Sequence, residues 1–324
     1  MTRAVEVAAS ARLTSSPNPW VGAVLVSGDA TWEGVTSPPG GPHAERHALA
    51  AAGDRARGAT LYTTLEPCSH HGRTGPCTSA LIEAAVARVV IGTEDPDPQV
   101  SGTGVAVLRA AGVEVEVGML RDVVERQLAP YLCHRRTGRP LVVCKLAATL
   151  DGRTAAPDGS SQWITGSEAR ADAHRLRAES DAVLVGAATI RADDPSLTVR
   201  DIDLPAGVEM EDVQPLRVVL GAAPESARVH PAVELDGDLA GVLDELGDRG
   251  VLQLLVEGGA SVAGAFHRAG LVDRYVVYFA PALFGGENAA AMFSGPAAPT
   301  IDDVWRGAIV DVRSLGGDLR IDLE

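Results

Sequence analysis

The chain has 324 residues and a mass of 33.5 kDa, more than one hydrophobic core ordinarily organises, so two domains are expected. Hydrophobic residues at 46% and charged residues at 22% exclude a disordered chain. A net charge of −15 and a pI near 4.9 argue against non-specific binding of nucleic acid or anionic membrane, while leaving room for a local basic pocket that takes a phosphorylated small molecule.

No apolar stretch reaches the roughly 18 residues of a membrane span. Residues 1–6 carry an early acid and no apolar block, so no signal peptide is expected. Four cysteines in a chain this long point to reduced thiols or metal ligands, and to the cytoplasm, rather than to a disulfide framework.

Along the first third, helical spacing over 2–13 precedes a buried strand at 20–26 and its hairpin partner at 31–36. A helix at 44–52 is stopped by Gly53, and a strand at 59–65 ends at Glu66-Pro67. A helix at 78–87, a strand at 88–92, a helix at 104–111 and a strand at 113–117 follow, the alternation of an α/β layered domain. A helix at 121–135 runs into a basic, Gly- and Pro-containing stretch at 135–140, which divides the chain into domains 1–138 and 139–324. The second α/β block has strands at 141–146, 182–186, 216–220, 251–256 and 274–280, with helices at 167–177 and 261–269. Residues 201–212 and 221–238 read as surface loops.

The first concentration of chemistry is His43-Ala44-Glu45 at a helix start, followed by Pro67-Cys68 and, after eight intervening residues, Cys77. One imidazole and two thiolates suit Zn²⁺ and leave a fourth position open for water. Glu45 sits beside the ligand without being one, where it can carry a proton from that water to a leaving amine; H-x-E with P-C and a second Cys is the pattern of zinc deaminases acting on nucleobases. The competing possibility is a closed structural zinc site with His47, His70 or His71 as fourth ligand. Cys133 and Cys144 are expected to be small core residues.

In the second block no G-x-G-x-x-G follows the first strand, so a Rossmann site is poorly supported. Glu257-Gly258-Gly259 leads from a strand into a helix, and such a turn either seats a pyrophosphate or is an ordinary βα connection. The chain has 27 arginines and one lysine, Lys145, a side chain whose compact ammonium Arg does not reproduce.

Residues 16–24, 42–49 and 66–77 together resemble the deaminase half of the bifunctional riboflavin-biosynthesis deaminase/reductases, whose inter-cysteine insert is longer than that of common cytidine deaminases. Residues 144–155, 161–165, 186–200, 257–259 and 269–273 resemble the reductase half, so the resemblance spans nearly the whole chain. It implies a cytidine-deaminase-like three-layer domain followed by a dihydrofolate-reductase-like α/β domain. It implies that His43, Cys68 and Cys77 hold Zn²⁺, that Glu45 shuttles the proton, and that Asn18 contacts the pyrimidine. NADPH is expected against Ala147, Trp163, Thr189, Asp193 and the turn Gly259, Ala260, Ser261, Val262, Ala263, Gly264 and Ala265. The phosphoribosyl substrate is expected against Lys145, Ser161, Arg177, Leu197, Arg200 and Glu257; without the resemblance Arg177 and Arg200 would read as surface charges. Two departures, Gly221-Ala222 after a strand and a short 223–238 stretch, bear on the adenosine end of the cofactor site. The expected partners are a small phosphorylated pyrimidine and a second copy of the chain, with no nucleic acid and no membrane. Rival readings are a nucleobase or tRNA-adenosine deaminase fused to an unrelated domain, and a zinc-stabilised ligand-binding protein with a decayed reductase half.

Overall fold

The computed structural model describes residues 1–70, 75–98 and 100–324, and the chain separates into two units, Met1–Gly138 and Arg139–Glu324. In the first, β1 (Gly22–Ser27), β2 (Ala30–Val35), β3 (Thr60–Leu65), β4 (Arg88–Thr93) and β5 (Glu114–Val117) form one sheet in the order β2-β1-β3-β4-β5. β1 is antiparallel to both neighbours, whereas β3, β4 and β5 run parallel. The central strands are buried on both faces because helices cover both.

Helix α1 (Thr2–Ala9) lies against β1 and β3, and α2 (Ala44–Ala52) lies on β1 and β2 beside α3 (Cys77–Glu83), which meets α4 (Thr103–Ala110). Two glycines set these contacts. A Cβ on Gly22 would stand 2.0 Å from Ala4 O in α1, and one on Gly34 would stand 2.0 Å from Ala44 O in α2. The helix expected over 121–135 is two helices, α5 (Arg121–Gln127) and α6 (Ala129–Thr137). The break falls at Leu128, just before Pro130, which has no N–H to continue the ladder but suits a first turn.

The second unit carries an eight-stranded sheet, in spatial order β10 (Val233–Leu235), β9 (Leu216–Leu220), β8 (Ala182–Gly186), β11 (Gln253–Val256), β6 (Leu141–Thr149), β12 (Arg274–Ala280), β15 (Asp318–Leu323) and β14 (Ile309–Leu315). It is parallel from β10 to β12 and antiparallel thereafter. β7 (Arg153–Ala155) pairs with β13 (Ala290–Ala291) in a separate ribbon. One sheet face is apolar, with Cys144, Leu146, Val256 and Val277 packed with Leu243 and Leu246 of α9 (Leu239–Asp248) and Phe266 of α10 (Ala260–Arg268). The other face is polar: Tyr278 and Arg320 both donate 2.7 Å hydrogen bonds to Asp172 of α7 (Ser167–Ala178).

The stretch read as a loop over 221–238 contains β10, which adds to the sheet edge after a connection with no helix. The sequence reading also leaves out α8 (Ala187–Asp193), α9, β14 and β15.

Gly34→Ala forces a methyl into the backbone of α2 and is expected to destabilise the first unit by about 2 kcal/mol, the usual scale of overpacking. Denaturant unfolding of the full chain measures this, and an unchanged first transition would show that α2 does not press on β2.

Candidate active sites

His43 is the N-cap of α2, and its extended backbone (φ −77°, ψ 162°) leaves the side chain outside the helix. Cys68 lies just beyond β3, and Cys77 opens α3. His43 Nδ1 stands 3.5 Å from Cys68 Sγ and 3.4 Å from Cys77 Sγ, and the three ligand atoms all lie within 4.8 Å of one another. The Cys77 N–H donates to Cys68 Sγ at 3.4 Å, so the start of α3 favours negative charge on that sulfur.

Several contacts fix this arrangement. Glu66, immediately before Pro67-Cys68, is buried and accepts backbone hydrogen bonds from Asp95 (3.3 Å), Gly102 (3.0 Å) and Val105 (3.1 Å). Gly104 lets α4 approach, since a Cβ there would stand 2.1 Å from Pro67 O. Arg46 donates to Gly75 O at 2.7 Å and Pro76 O at 3.2 Å, fastening the chain just before Cys77. Of the possible fourth ligands, His47 bonds Ser37 Oγ instead at 2.7 Å. Neither it nor His70 joins the cluster, and His71 lies outside the described residues.

The electrostatics follow from crowding. A hydrogen bond from Cys77, followed by His43 and the Cys77 N–H, outweighs burial and holds the Cys68 thiol well below its usual range. Cys77 is driven up, chiefly by that same shared hydrogen bond and then by burial. Burial also raises the carboxyl of Glu45, which is only 4% exposed. Two sulfurs this close resist a second negative charge without a cation between them. Ligands at the Zn–N and Zn–S distances of a tetrahedral site lie about 3.6 Å apart, so the observed separations fit Zn²⁺. A cleft of about 630 Å³ opens over the cluster, lined by Asn18, His43, Glu45, Cys68, Asp95 and Tyr131 among others.

The second unit has a cleft of about 790 Å³. It gathers Ala147, Trp163, Thr189, Asp193, Gly259 and Ala260, together with Lys145, Ser161, Arg177, Arg200 and Glu257. The rest of the expected turn, Ser261, Val262, Ala263, Gly264 and Ala265, does not line it, because α10 carries the chain inward. Ala263 is wholly buried in the core, Val262 packs onto Gly258, and Gly264 lies under Ser294. Leu197 is buried rather than in the cleft wall, with φ at 54°, a conformation few leucines adopt.

Arg177 is not a free fork. Both its Nε and its Nη2 donate to Glu257, the latter at 3.0 Å, and Nη1 donates to Thr198 O at 3.1 Å. Lys145 Nζ lies 3.7 Å from the same carboxylate. Burial alone would raise Glu257, but Arg177 and Lys145 overcome it and hold the group down to about 2. Arg170 and His174 also line the cleft and were not expected; Arg170 lies 4.7 Å over the exposed Trp163 ring. Their signal was faint, two polar residues four apart on a helix that reads as solvated.

The chain matches two family descriptions, cytidine and deoxycytidylate deaminase zinc-binding region over residues 1–93 and RibD C-terminal domain over 140–319. It is 40% identical over 359 residues to the riboflavin biosynthesis protein RibD of Escherichia coli (strain K12), covering 100% of this chain and 98% of that one. The chain belongs to the RibD family. The RibD of Mycobacterium tuberculosis (strain H37Rv) is 42% identical over 340 residues, covering 100% of this chain and 96% of its own length. The Acinetobacter baumannii RibD structure, form 1, superposes with a TM-score of 0.92 at 39% identity, covering 99% of this chain and 96% of its own. A Thermotoga maritima structure described as a diaminohydroxyphosphoribosylaminopyrimidine deaminase/5-amino-6-(5-phosphoribosylamino)uracil reductase gives 0.88 at 34% identity, covering 100% and 97%. RibD membership makes this chain a bifunctional riboflavin-biosynthesis deaminase/reductase of the α/β class, as the sequence reading expected. No helix among the described residues is long and apolar enough to cross a membrane.

Burial first, then Arg177 and Arg200, lower His174 from its usual 6.5 to about 4. The unfolded chain therefore takes up this proton before the folded one, so the stability conferred by the neutral ring is present above about pH 6.5 and lost as pH falls toward 4. Denaturant midpoints at pH 7 and pH 5 should differ more in the wild type than in His174→Gln. Equal differences would show that His174 titrates normally.

Proposed function

We propose that residues 1–138 deaminate 2,5-diamino-6-(5-phosphoribosylamino)pyrimidin-4-one and that residues 139–324 reduce the ribosyl group of the uracil product to ribityl with NADPH. The observation that carries this reading is the convergence of His43, Cys68, Cys77 and the buried Glu45 in one cleft. His43 Nδ1 and the two sulfurs would hold Zn²⁺, which supplies the Lewis acidity that makes water nucleophilic near neutral pH. Glu45 takes the proton from the attacking water and returns it to the amine as the C–N bond breaks and ammonia leaves. A carboxyl raised by burial is suited to both transfers. Asn18, on the cleft wall, orients the pyrimidine.

In the second cleft, Ala147, Trp163, Thr189, Asp193 and the start of the 259–265 turn take NADPH. Glu257, held ionised by Arg177 and Lys145, fixes the pyrimidine beside Ser161. Because Arg177 is committed to Glu257, the phosphate falls to Arg200, whose side chain is 49% exposed. NADPH supplies the hydride to C1′ of the opened sugar, and the residues around it contribute position.

A second copy of the chain is the partner assigned to the sheet edge of residues 139–324. β14 is an end strand, and Ile309, Val312 and Leu319 are exposed on its hairpin with β15. Such an edge pairs readily with its own copy about a two-fold axis. The four free thiols fit the cytoplasm.

Glu45→Gln should retain about one zinc per chain by metal analysis while ammonia release falls about 10²-fold or more; ordinary activity would remove Glu45 from the proton path. Cys77→Ser should lose metal and deamination together and still reduce supplied uracil intermediate, and equal loss of both activities would show that the two centres are not separable. Lys145→Arg should lower reduction about ten-fold with deamination unchanged, since a planar guanidinium does not fit where a compact ammonium meets Glu257. Wild-type reduction by that variant would mean that only the charge matters.

A further inference from the structure

Four carboxylates line the deaminase cleft: Glu45, Glu66, Asp95 and Asp97. Among its described lining residues, Arg135 is the one Arg or Lys. A phosphorylated substrate entering such a wall meets like charge unless a fixed cation receives it. Glu66 is engaged with three backbone N–H groups, and Asp95 accepts from the Tyr131 hydroxyl (3.0 and 3.2 Å) and the Asp97 N–H (2.9 Å). Neither of those sets of partners is a cation.

Arg135 is held in place from below. It lies four residues after Tyr131 on α6, so both project from one helix face. The Tyr131 hydroxyl is clamped to Asp95, and the Arg135 guanidinium carbon sits 5.1 Å from the Tyr131 ring centroid. Asp97 Oδ2 is 3.8 Å from Arg135 Nε, close enough for charge and too far for a hydrogen bond. That Nε is buried and has no hydrogen-bond partner among the described residues. The Arg135 side chain as a whole is 30% exposed on the cleft wall, so the rest of its guanidinium fork is open to a phosphate oxygen.

We propose that Arg135 is the substrate-phosphate residue of the deaminase cleft, with Tyr131 as its platform and Asp97 as the charge that holds it ready. The proposal rests on the deaminase reading above. It makes the cleft select the phosphorylated pyrimidine over its dephosphorylated form, and it assigns Arg135 to binding rather than to bond cleavage.

The test uses the zinc-loaded full chain and follows ammonia release from the phosphorylated substrate and from the same compound without its phosphate. Arg135→Met should raise KM for the phosphorylated compound about ten-fold or more, leave kcat within about two-fold, and leave the dephosphorylated compound unaffected. Arg135→Lys should recover part of that loss, because the charge returns without the fork. Equal losses on both compounds would overturn the proposal in favour of a structural role for Arg135, and no loss on either would make it a bystander. Titration of ribose 5-phosphate by calorimetry reads the same site without turnover: Arg135→Met should lose one class of sites present in the wild type, and an unchanged isotherm would contradict the proposal. Wild-type protein that releases no ammonia from either compound would instead sink the deaminase reading, leaving the titration to decide Arg135.

Discussion

Two cysteine sulfurs and an imidazole nitrogen gathered at one cleft set the terms for the first unit. Like charges at that separation are tolerated only when a cation shares the site, and the two thiols are pushed in opposite directions, Cys68 down and Cys77 up. Much of the surrounding structure serves to bring the three atoms together. Gly34 admits α2 to the sheet, Gly104 admits α4 to Pro67, and Arg46 ties α2 to the residues just before Cys77. Glu66 does the same for the loop after β4. Burial beside this cluster raises the Glu45 carboxyl, which suits the proton transfers proposed for it.

The second unit uses a buried charge differently. Glu257 leaves the end of β11, faces both Arg177 and Lys145, and stays ionised in spite of burial. Breaking such a set from one side strands a charge, which makes it a strict constraint on the cleft wall. The sheet below is divided accordingly, apolar toward α9 and α10, polar toward α7. A cleft for a polar, phosphorylated substrate can form only over the second of these faces.

What was legible in the sequence was local. H-x-E at a helix start and P-C before a helix announce a metal site because their spacing is short and the chemistry of the ligands is specific. Glu66 was invisible as an organiser because its partners Asp95, Gly102 and Val105 lie 29, 36 and 39 residues away. The pairing of Arg177 with Glu257 spans 80 residues, so an arginine expected to meet phosphate proved to be committed already. The turn after Glu257 was legible as a turn, yet only its first residues reach the cleft, since helical rotation buries Ala263. β14 was missed because its residues are mostly exposed, without the inside-outside alternation that marks a half-buried strand. The break between α5 and α6 is legible in Pro130, which suits a first helical turn and not the interior of a longer helix.

On the proposed reading one chain carries two separable chemistries, the first dependent on Glu45 and the His43–Cys68–Cys77 cluster, the second on the Glu257 cleft. The most direct measurement follows ammonia and NADPH separately in purified zinc-loaded protein given the diaminopyrimidine phosphate. With NADPH withheld, ammonia should appear and the uracil intermediate accumulate; NADPH added later should then be oxidised in an amount equal to the ammonia already released. NADPH oxidation without prior ammonia release, or no ammonia at all, would contradict it.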